Sequence, residues 1–309
     1  MLAILAPGQG AQKSGFLTSW LTQLPVADRL AECSASAGRN LSAAGASMPD
    51  EAITDTAIAQ PLIVAAGISA ATLLELPRDT VFAGHSVGEF TAACLAGVLD
   101  VQAAIRLVTI RGREMAAASV EPESGMAAVL GGEEAEVIAA IMRAGCVAAN
   151  YNGKGQIVAA GTRGAIEALI AEPPPGARVR PLAVAGAFHS PLMTPARTAV
   201  ATAAADTAAA DPTARVISNR DGRVVTSGAD LLLRLVDQIC QPVRWDLCMT
   251  GLVELGVTAV IELPPAGTLT AMIRRAAPDI ATVALSSLDD IPAARELIAA
   301  HSAVPAGAR

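Results

Sequence analysis

Aromatic residues are almost missing from this chain: two Trp, one Tyr and four Phe in 309 residues, about 2%. Hydrophobic residues still reach 52%, so the core must be built from Ala, Val, Leu and Ile. That richness excludes a disordered chain, which is poor in aliphatics. Cysteine is sparse and scattered. Cys33, Cys94, Cys146, Cys240 and Cys248 form no C-x-x-C pair, their number is odd, and no Cys/His cluster accompanies them. Neither a disulfide framework nor a zinc site fits; reduced thiols in a cytoplasmic protein do. Basic runs are absent and the formal net charge is −7, which excludes the basic face of a nucleic-acid binder. The N-terminus, M-L-A-I-L-A-P-G-Q-G, lacks the basic start of a signal peptide and reads as a first core strand. The longest apolar stretch, residues 62–74, falls short of the roughly 20 residues that cross a bilayer. It reads as a buried helix, so no membrane partner is expected.

Apolar strand patterns alternating with helical ones predict an α/β fold. A strand over 2–6 breaks at Pro7-Gly8-Gln9-Gly10, a glycine turn that turns backbone N–H groups outward. Lys13 stands where a dinucleotide fingerprint needs its third glycine, so that reading fails. A helix is expected to start at Gln60-Pro61, with Pro61 in its first turn. A short strand over 80–84 leads into G-H-S-V-G, and a helix follows that stops near Gly97. From residue 125 the order becomes β-α-β-β-α-β: strands at 126–131, 146–152, 156–161 and 178–184, helices at 133–145 and 163–172. This predicts an inserted ferredoxin-like domain over 125–185. Residues 1–124 and 186–309 then form a large α/β-hydrolase-like domain with a mainly parallel sheet. There Q-P-V-R-W (241–245) reads as a turn, 258–263 as a strand, and the tail after Ala300 as frayed.

A strand, then G-H-S-V-G, then a helix is the setting of a nucleophile elbow. Gly84 and Gly88 permit the sharp turn and close packing. Ser86 sits at the helix N-terminus, where the Val87 N–H faces a developing oxyanion. A serine hydroxyl needs a base, and the chain has three histidines. His85 adjoins the serine on the strand side and turns to it poorly. His301 lies in the tail. His189 remains. No carboxylate is placed to orient it, which leaves that task to a backbone or amide oxygen. Arg111 lies on an apolar helix beside Leu107, Val108 and Ile110. A buried guanidinium there seeks a carboxylate, and a substrate bearing one would supply it. On these residues alone a hydrolase and a transferase stay level.

Nine motifs, in order, carry a resemblance. They are P-G-Q-G-A-Q (7–12), A-Q-P-L (59–62), G-H-S-V-G-E (84–89), R-G-R-E-M (111–115), N-Y-N-G-K-G-Q (150–156), G-A-F-H-S-P-L-M (186–193), S-N-R-D-G (218–222), Q-I-C-Q-P-V-R-W (238–245) and E-L-P-P-A-G (262–267). Together they resemble the malonyl-CoA:acyl carrier protein transacylases, the FabD-type enzymes of bacterial fatty acid synthesis, actinobacterial ones above all. The resemblance implies that Ser86 carries a malonyl ester and that His189 serves as base and then acid. It implies that Arg111 pairs with the malonyl carboxylate, and that Gln9 and Val87 supply oxyanion N–H groups. Gln238 would orient His189 through its main-chain carbonyl, and Asn150 and Asn152 would face the cleft. Phe188 is the residue of malonyl-selective relatives, since a bulky ring crowds an α-methyl. One methyl is worth only about 1–3 kcal/mol, so selectivity should be partial.

The implied reaction is ping-pong transfer of malonyl from malonyl-CoA to the pantetheine thiol of acyl carrier protein, for fatty acid or polyketide synthesis. It needs no metal and no cofactor, and a monomer suffices. The alternative is a serine hydrolase or thioesterase acting on acyl thioesters. Carrier proteins are acidic, and so is this chain; docking therefore requires a local basic patch. Arg220, Arg223, Arg244, Arg274 and Arg275 are candidates. Two departures from the family stand out. E-L-P-P-A-G replaces E-x-G-P-G, so Glu262 receives no catalytic weight, and residue 6 is Ala6 where many relatives have Phe.

Overall fold

The computed structural model describes residues 1–302. Its strands are β1 (Leu2–Ala6), β2 (Val81–Gly84), β3 (Ser124–Gly131), β4 (Val147–Tyr151), β5 (Gln156–Thr162), β6 (Ala177–Pro181), β7 (Arg215–Ile217), β8 (Val224–Val225), β9 (Val243–Arg244), β10 (Ala259–Glu262) and β11 (Ala281–Ala284). One sheet has the order β11-β10-β1-β2-β7-β8. All its pairings are parallel except β7 with β8. β1, β2 and β10 are buried along their whole length, as parallel strands covered on both faces must be. Alternate residues serve the two faces. Leu2 and Ile4 join the core that holds the helix Thr56–Ala71, while Ala3 and Leu5 face Trp245, Leu252, Leu269 and Ile273.

The second sheet has the order β6-β3-β5-β4-β9 and is antiparallel apart from β4 with β9. Ala127, Val129, Ile157 and Ala159 turn one face to Val137, Ile141, Ile166 and Leu169 of the helices Glu134–Arg143 and Arg163–Ala171. Met126, Ala128, Val158 and Ala160 alternate with them, and Met126, Val158 and Ala160 pack into the main core instead. The protein is thus α/β with mixed sheets, and the back of the smaller sheet leans on the larger body.

Several local expectations need correction. The helix Thr56–Ala71 begins at an Asp55 cap, so Pro61 lies inside it and not in its first turn. The helix persists because Ala59 through Ala71 are all buried; packing overrides a lost backbone bond. Q-P-V-R-W is not a turn throughout, since Val243 and Arg244 pair in parallel with Asn150 and Tyr151. A dipeptide strand leaves no periodicity to read. The strand read over 178–184 ends at Pro181. β8 and β11 carried no strand expectation; both are short strands at the edges of the sheet. Of the tail, His301 belongs to the helix Ile291–Ser302 and its Nδ1 lies 2.8 Å from Thr258 Oγ1; the rest falls outside the described residues.

A Cβ placed on Gly88 would run into the Ala6 carbonyl, and one on Gly84 into the Gly88 backbone. Backbone cannot yield as a side chain can. Gly88→Ala should therefore destabilise by about 3 kcal/mol in urea unfolding, the upper end for overpacking. Gly164 has open space around its Cβ direction on the helix Arg163–Ala171, so Gly164→Ala should instead gain about 0.5–1 kcal/mol.

Candidate active site

β2 delivers the chain to Ser86 and the helix Gly88–Leu95 carries it away. Ser86 has φ +54°, a left-handed conformation that costs a non-glycine residue about 1–2 kcal/mol. Its backbone is held from both sides. The Ser86 N–H donates to Asn219 Oδ1 at 2.8 Å, and the Ser86 carbonyl accepts from Gln238 Nε2 at 3.1 Å. His85 N–H donates to the Ala6 carbonyl at 2.9 Å, which ties the elbow to β1.

His189 arrives from the loop after β6, also left-handed with φ +60°. Its Nε2 lies 2.7 Å from Ser86 Oγ and its Nδ1 2.7 Å from the Gln238 carbonyl oxygen. A carbonyl only accepts, so Nδ1 carries the proton and Nε2 is free to accept from the serine. His85 turns away instead, with Nε2 3.0 Å from Asn152 Oδ1.

Arg111 is 1% exposed. Its hydrogen bonds go to neutral oxygens: Gln60 Oε1 at 2.7 Å, Gln238 Oε1 at 3.0 Å and Ser86 Oγ at 3.3 Å. Its Nε is buried with no partner among the described residues. A full positive charge therefore sits beside the serine without a carboxylate in contact.

These groups line one cavity of about 280 Å³ between the two sheets. Gln9, Val87, Asn150, Asn152 and Phe188 line it too. The Gln9 side chain reaches away, donating to the Thr54 carbonyl at 3.1 Å. Among the described residues, the N–H groups of Gln9 and Val87 have no backbone acceptor. Asn150 Oδ1 is buried and unpartnered in the same set. No group of His, Cys, Asp and Glu among those residues could hold a metal.

The acyl transferase domain model matches residues 5–295. The chain belongs to the acyl transferase family. It is 49% identical to the malonyl CoA-acyl carrier protein transacylase of Mycobacterium tuberculosis, over 94% of this chain and 98% of that one. The crystal structure of MCAT from Mycobacterium tuberculosis superposes with a TM-score of 0.91 at 48% identity, covering 94% of this chain and 98% of that. A malonyl-transacylase solved in complex with its type II PKS acyl-carrier protein superposes with a TM-score of 0.88 at 30% identity, covering 96% and 99%.

In this acyl transferase three polar residues to which sequence reasoning assigned no role hold the site together. Gln60 accepts from Arg111. Asn219 accepts from Ser86 N–H and donates to the Gly84 carbonyl at 2.6 Å. Glu89, 1% exposed, accepts from Asn219 N–H at 2.7 Å and from Gln238 Nε2. Each lies in one of the nine motifs. The available signal was a polar residue within an apolar run, Gln60 in I-A-Q-P-L-I-V and Glu89 in V-G-E-F-T-A-A.

Electrostatics set the protonation states. Burial, then the Arg111 charge, push the His189 imidazole down to about 3. Burial pushes His85 down and raises Glu89 to about 7. His189 is therefore neutral near pH 7, the form in which an imidazole can accept a proton. A histidine whose folded pKa is depressed costs nothing above its unfolded pKa. It destabilises the fold as pH falls from about 6.5 toward about 3, because the unfolded chain binds the proton and the folded one does not. Glu89 acts in the opposite sense between 4.5 and about 7, so the two must be separated by difference. The stability of the wild type relative to His189→Gln, from urea unfolding, should decline as pH falls from about 6.5 to 4. A difference that stays constant with pH would show that His189 protonates freely.

Proposed function

We propose that this acyltransferase moves malonyl from malonyl-CoA to the pantetheine thiol of acyl carrier protein through a Ser86 ester. The observation that carries the reading is the Arg111 guanidinium, buried beside Ser86 with only neutral oxygens as partners. Malonyl supplies the missing carboxylate two bonds from its thioester carbonyl. Likeness to transacylases so named, and to one solved with its carrier protein, supports it further.

The chemistry runs in two symmetric halves. Ser86 Oγ attacks the thioester carbonyl while His189 Nε2 takes its proton. The N–H groups of Val87 and Gln9 receive the oxyanion. The carbon–sulfur bond breaks, and the protonated His189 returns the proton to the departing CoA sulfur. The carrier's thiol then gives its proton to His189, attacks the Ser86 ester, and the serine oxygen leaves with that proton. The chain's side chains and main-chain N–H groups, with the two thiols, carry every step of this reading without a cofactor or metal. The carboxylate has a second effect. It offsets the Arg111 charge that depresses His189, so binding the right acyl group raises the basicity of His189. An acyl group without a carboxylate leaves the buried charge unpaired and is disfavoured. Phe188, 7% exposed on the cavity wall, restricts an α-substituent.

For the longer arm of either substrate we read the cavity as continuing along Asn152, Gln156 and Met272 into a groove of about 510 Å³ that carries Lys154 and Arg275 at its rim. Asn150 Oδ1, unpartnered among the described residues, is an acceptor for a pantetheine amide. Of the other carrier-docking candidates, Arg220 and Arg244 share a separate groove with Arg197. There Arg220 pairs with Asp237 and Arg244 with Asp246. Arg274 donates to Thr282 on β11 and stands apart, while Arg223 is exposed. The finer reading of the architecture is an α/β-hydrolase-like body with an inserted ferredoxin-like unit over 125–185. The order β6-β3-β5-β4 with helices on one face supports it. No described helix is long and apolar enough to cross a membrane. We propose that the enzyme acts as a cytoplasmic monomer.

Intact-mass analysis after malonyl-CoA incubation should show one malonyl adduct that persists until holo-carrier protein is added. Ser86→Ala should abolish it. Arg111→Ala should slow malonylation by about 100-fold, the effect of losing a buried charge-assisted contact, without slowing acetylation from acetyl-CoA. Rapid free malonate without acceptor would favour the hydrolase reading.

Lys154→Ala with Arg275→Ala should raise KM for malonyl-CoA by roughly 10-fold, the loss of two exposed phosphate contacts. Transfer from malonyl-pantetheine, which lacks the phosphate, should be unchanged. Equal losses on both donors would place the arm elsewhere.

A further inference from the structure

The motif G-H-S-V-G-E ends on a glutamate that the reaction leaves unused. Glu89 lies in the first turn of the helix behind Ser86 and is 1% exposed. Burying an ionised carboxylate costs several kcal/mol unless donors satisfy it, so its retention there needs a reason. Its two oxygens meet donors from opposite sides of the site, Asn219 and Gln238, and the Ser218 hydroxyl adds a third. Oε1 accepts from the Asn219 main chain at 2.7 Å, and Oε2 accepts from Gln238 Nε2. Asn219 in turn accepts from the Ser86 N–H at 2.8 Å. Gln238 offers its main-chain carbonyl to His189 Nδ1 at 2.7 Å and its Oε1 to Arg111 at 3.0 Å.

We propose that Glu89 is a positioning residue for the transfer: its buried carboxylate, clamped between Asn219 and Gln238, holds the Ser86 turn and the carbonyl that orients His189 in one geometry. The role rests on the reading of Ser86 as the acyl carrier. Glu89 touches neither substrate nor reacting atoms; it acts through the two residues it grips. It explains how a site without an Asp or Glu on its histidine still keeps that histidine fixed. The acid stands one residue further back: it grips the side-chain amide of Gln238, the residue whose main-chain carbonyl orients the ring. It also sets the side-chain amide of Gln238 with Nε2 toward Glu89 and Oε1 toward Arg111, since a donor must face the carboxylate and an acceptor the guanidinium. The same carboxylate supplies the opposite charge that supports the ionised form of Arg111.

The clamp requires the ionised form. A protonated carboxyl turns one oxygen into a donor facing a donor. Burial pushes Glu89 up to about 7, so the clamp forms as pH rises through that value. The other charged or titratable groups around it are Arg111 from the helix Val101–Ala117, Arg234 from the helix Gly228–Asp237, Cys248 from the helix Trp245–Glu254, and His85 and His189 from their loops. Arg111 titrates near 10 and His189 near 3. Cys248 and Arg234 are pushed upward and His85 downward. None of them titrates where Glu89 does.

The test is the rate of Ser86 malonylation by malonyl-CoA between about pH 5 and 9, in the wild type and in Glu89→Gln. The wild type should show a rising limb centred near 7. Glu89→Gln keeps the shape but offers one acceptor where two are needed. It should acylate on the order of 10- to 100-fold more slowly, as misplaced groups do, with KM within about threefold and the limb near neutrality gone. A Glu89→Gln enzyme that acylates like the wild type, or slows while keeping the wild-type limb, overturns the proposal. If the variant does not fold by thermal melting, the wild-type profile decides: a flat profile overturns the proposal. Failure of the acyl-serine reading itself is distinct, because the wild type would then form no adduct at all.

Discussion

A guanidinium buried with no carboxylate in contact is the interaction around which this site is arranged. Taking Arg111 out of water costs several kcal/mol, and the fold recovers part of that through amide oxygens from two distant segments, Gln60 and Gln238. The remainder stands as a demand for an anion. Its position beside Ser86 Oγ makes that demand selective in the proposed reaction, where an acyl group with a carboxylate meets it while its carbonyl lies at the serine. The same charge depresses His189, so in the proposed transfer recognition and base strength are coupled through a single side chain.

The rest of the molecule can be understood as what keeps this charge, a serine and a histidine in register. Ser86 and His189 both occupy the left-handed region, which non-glycine residues seldom adopt in a free peptide. Each is held by neighbours from elsewhere in the chain: Asn219 and Gln238 for the serine, the Gln238 carbonyl for the histidine. Gly84 and Gly88 let the elbow close onto β1. Gln238 is the residue where the demands meet, since it contacts Arg111, Ser86, His189, Glu89 and Asn219. The small sheet closes the cavity from above, and β9 joins it to the large body by pairing Val243 and Arg244 with β4.

Much of this was legible along the chain. The strands at 2–6 and 80–84 and the β-α-β-β-α-β order announce themselves through apolar runs and glycine stops such as Gly97 and Gly145. Ser86 stood out because a serine between two glycines at a strand-to-helix junction marks a sharp turn that exposes its hydroxyl. His189 stood out because two of three histidines were badly placed. What was hard to read shares a cause. Pro61 misplaced a helix start because local propensity yields to complete burial. β8, β9 and β11 are too short or too near an edge to impose a period. Glu89, Asn219 and Gln60 passed without a role because a polar residue in an apolar run shows that a partner exists, not which one.

By itself the sequence determined the alternation of strands and helices, the sharp turn at Ser86 and the burial of Arg111. These follow from apolar spacing and glycine, both local properties. Resemblance implied a place for Arg111 and Gln238, but only the tertiary structure decided which atoms meet: Arg111 with Ser86 Oγ and Gln60, and the Ser86 turn with Asn219. The physical reason is distance along the chain. Positions 60, 86, 111, 189 and 238 converge only when the two sheets pack. Hydrogen-bond partners chosen at that range leave no trace in any window of the sequence.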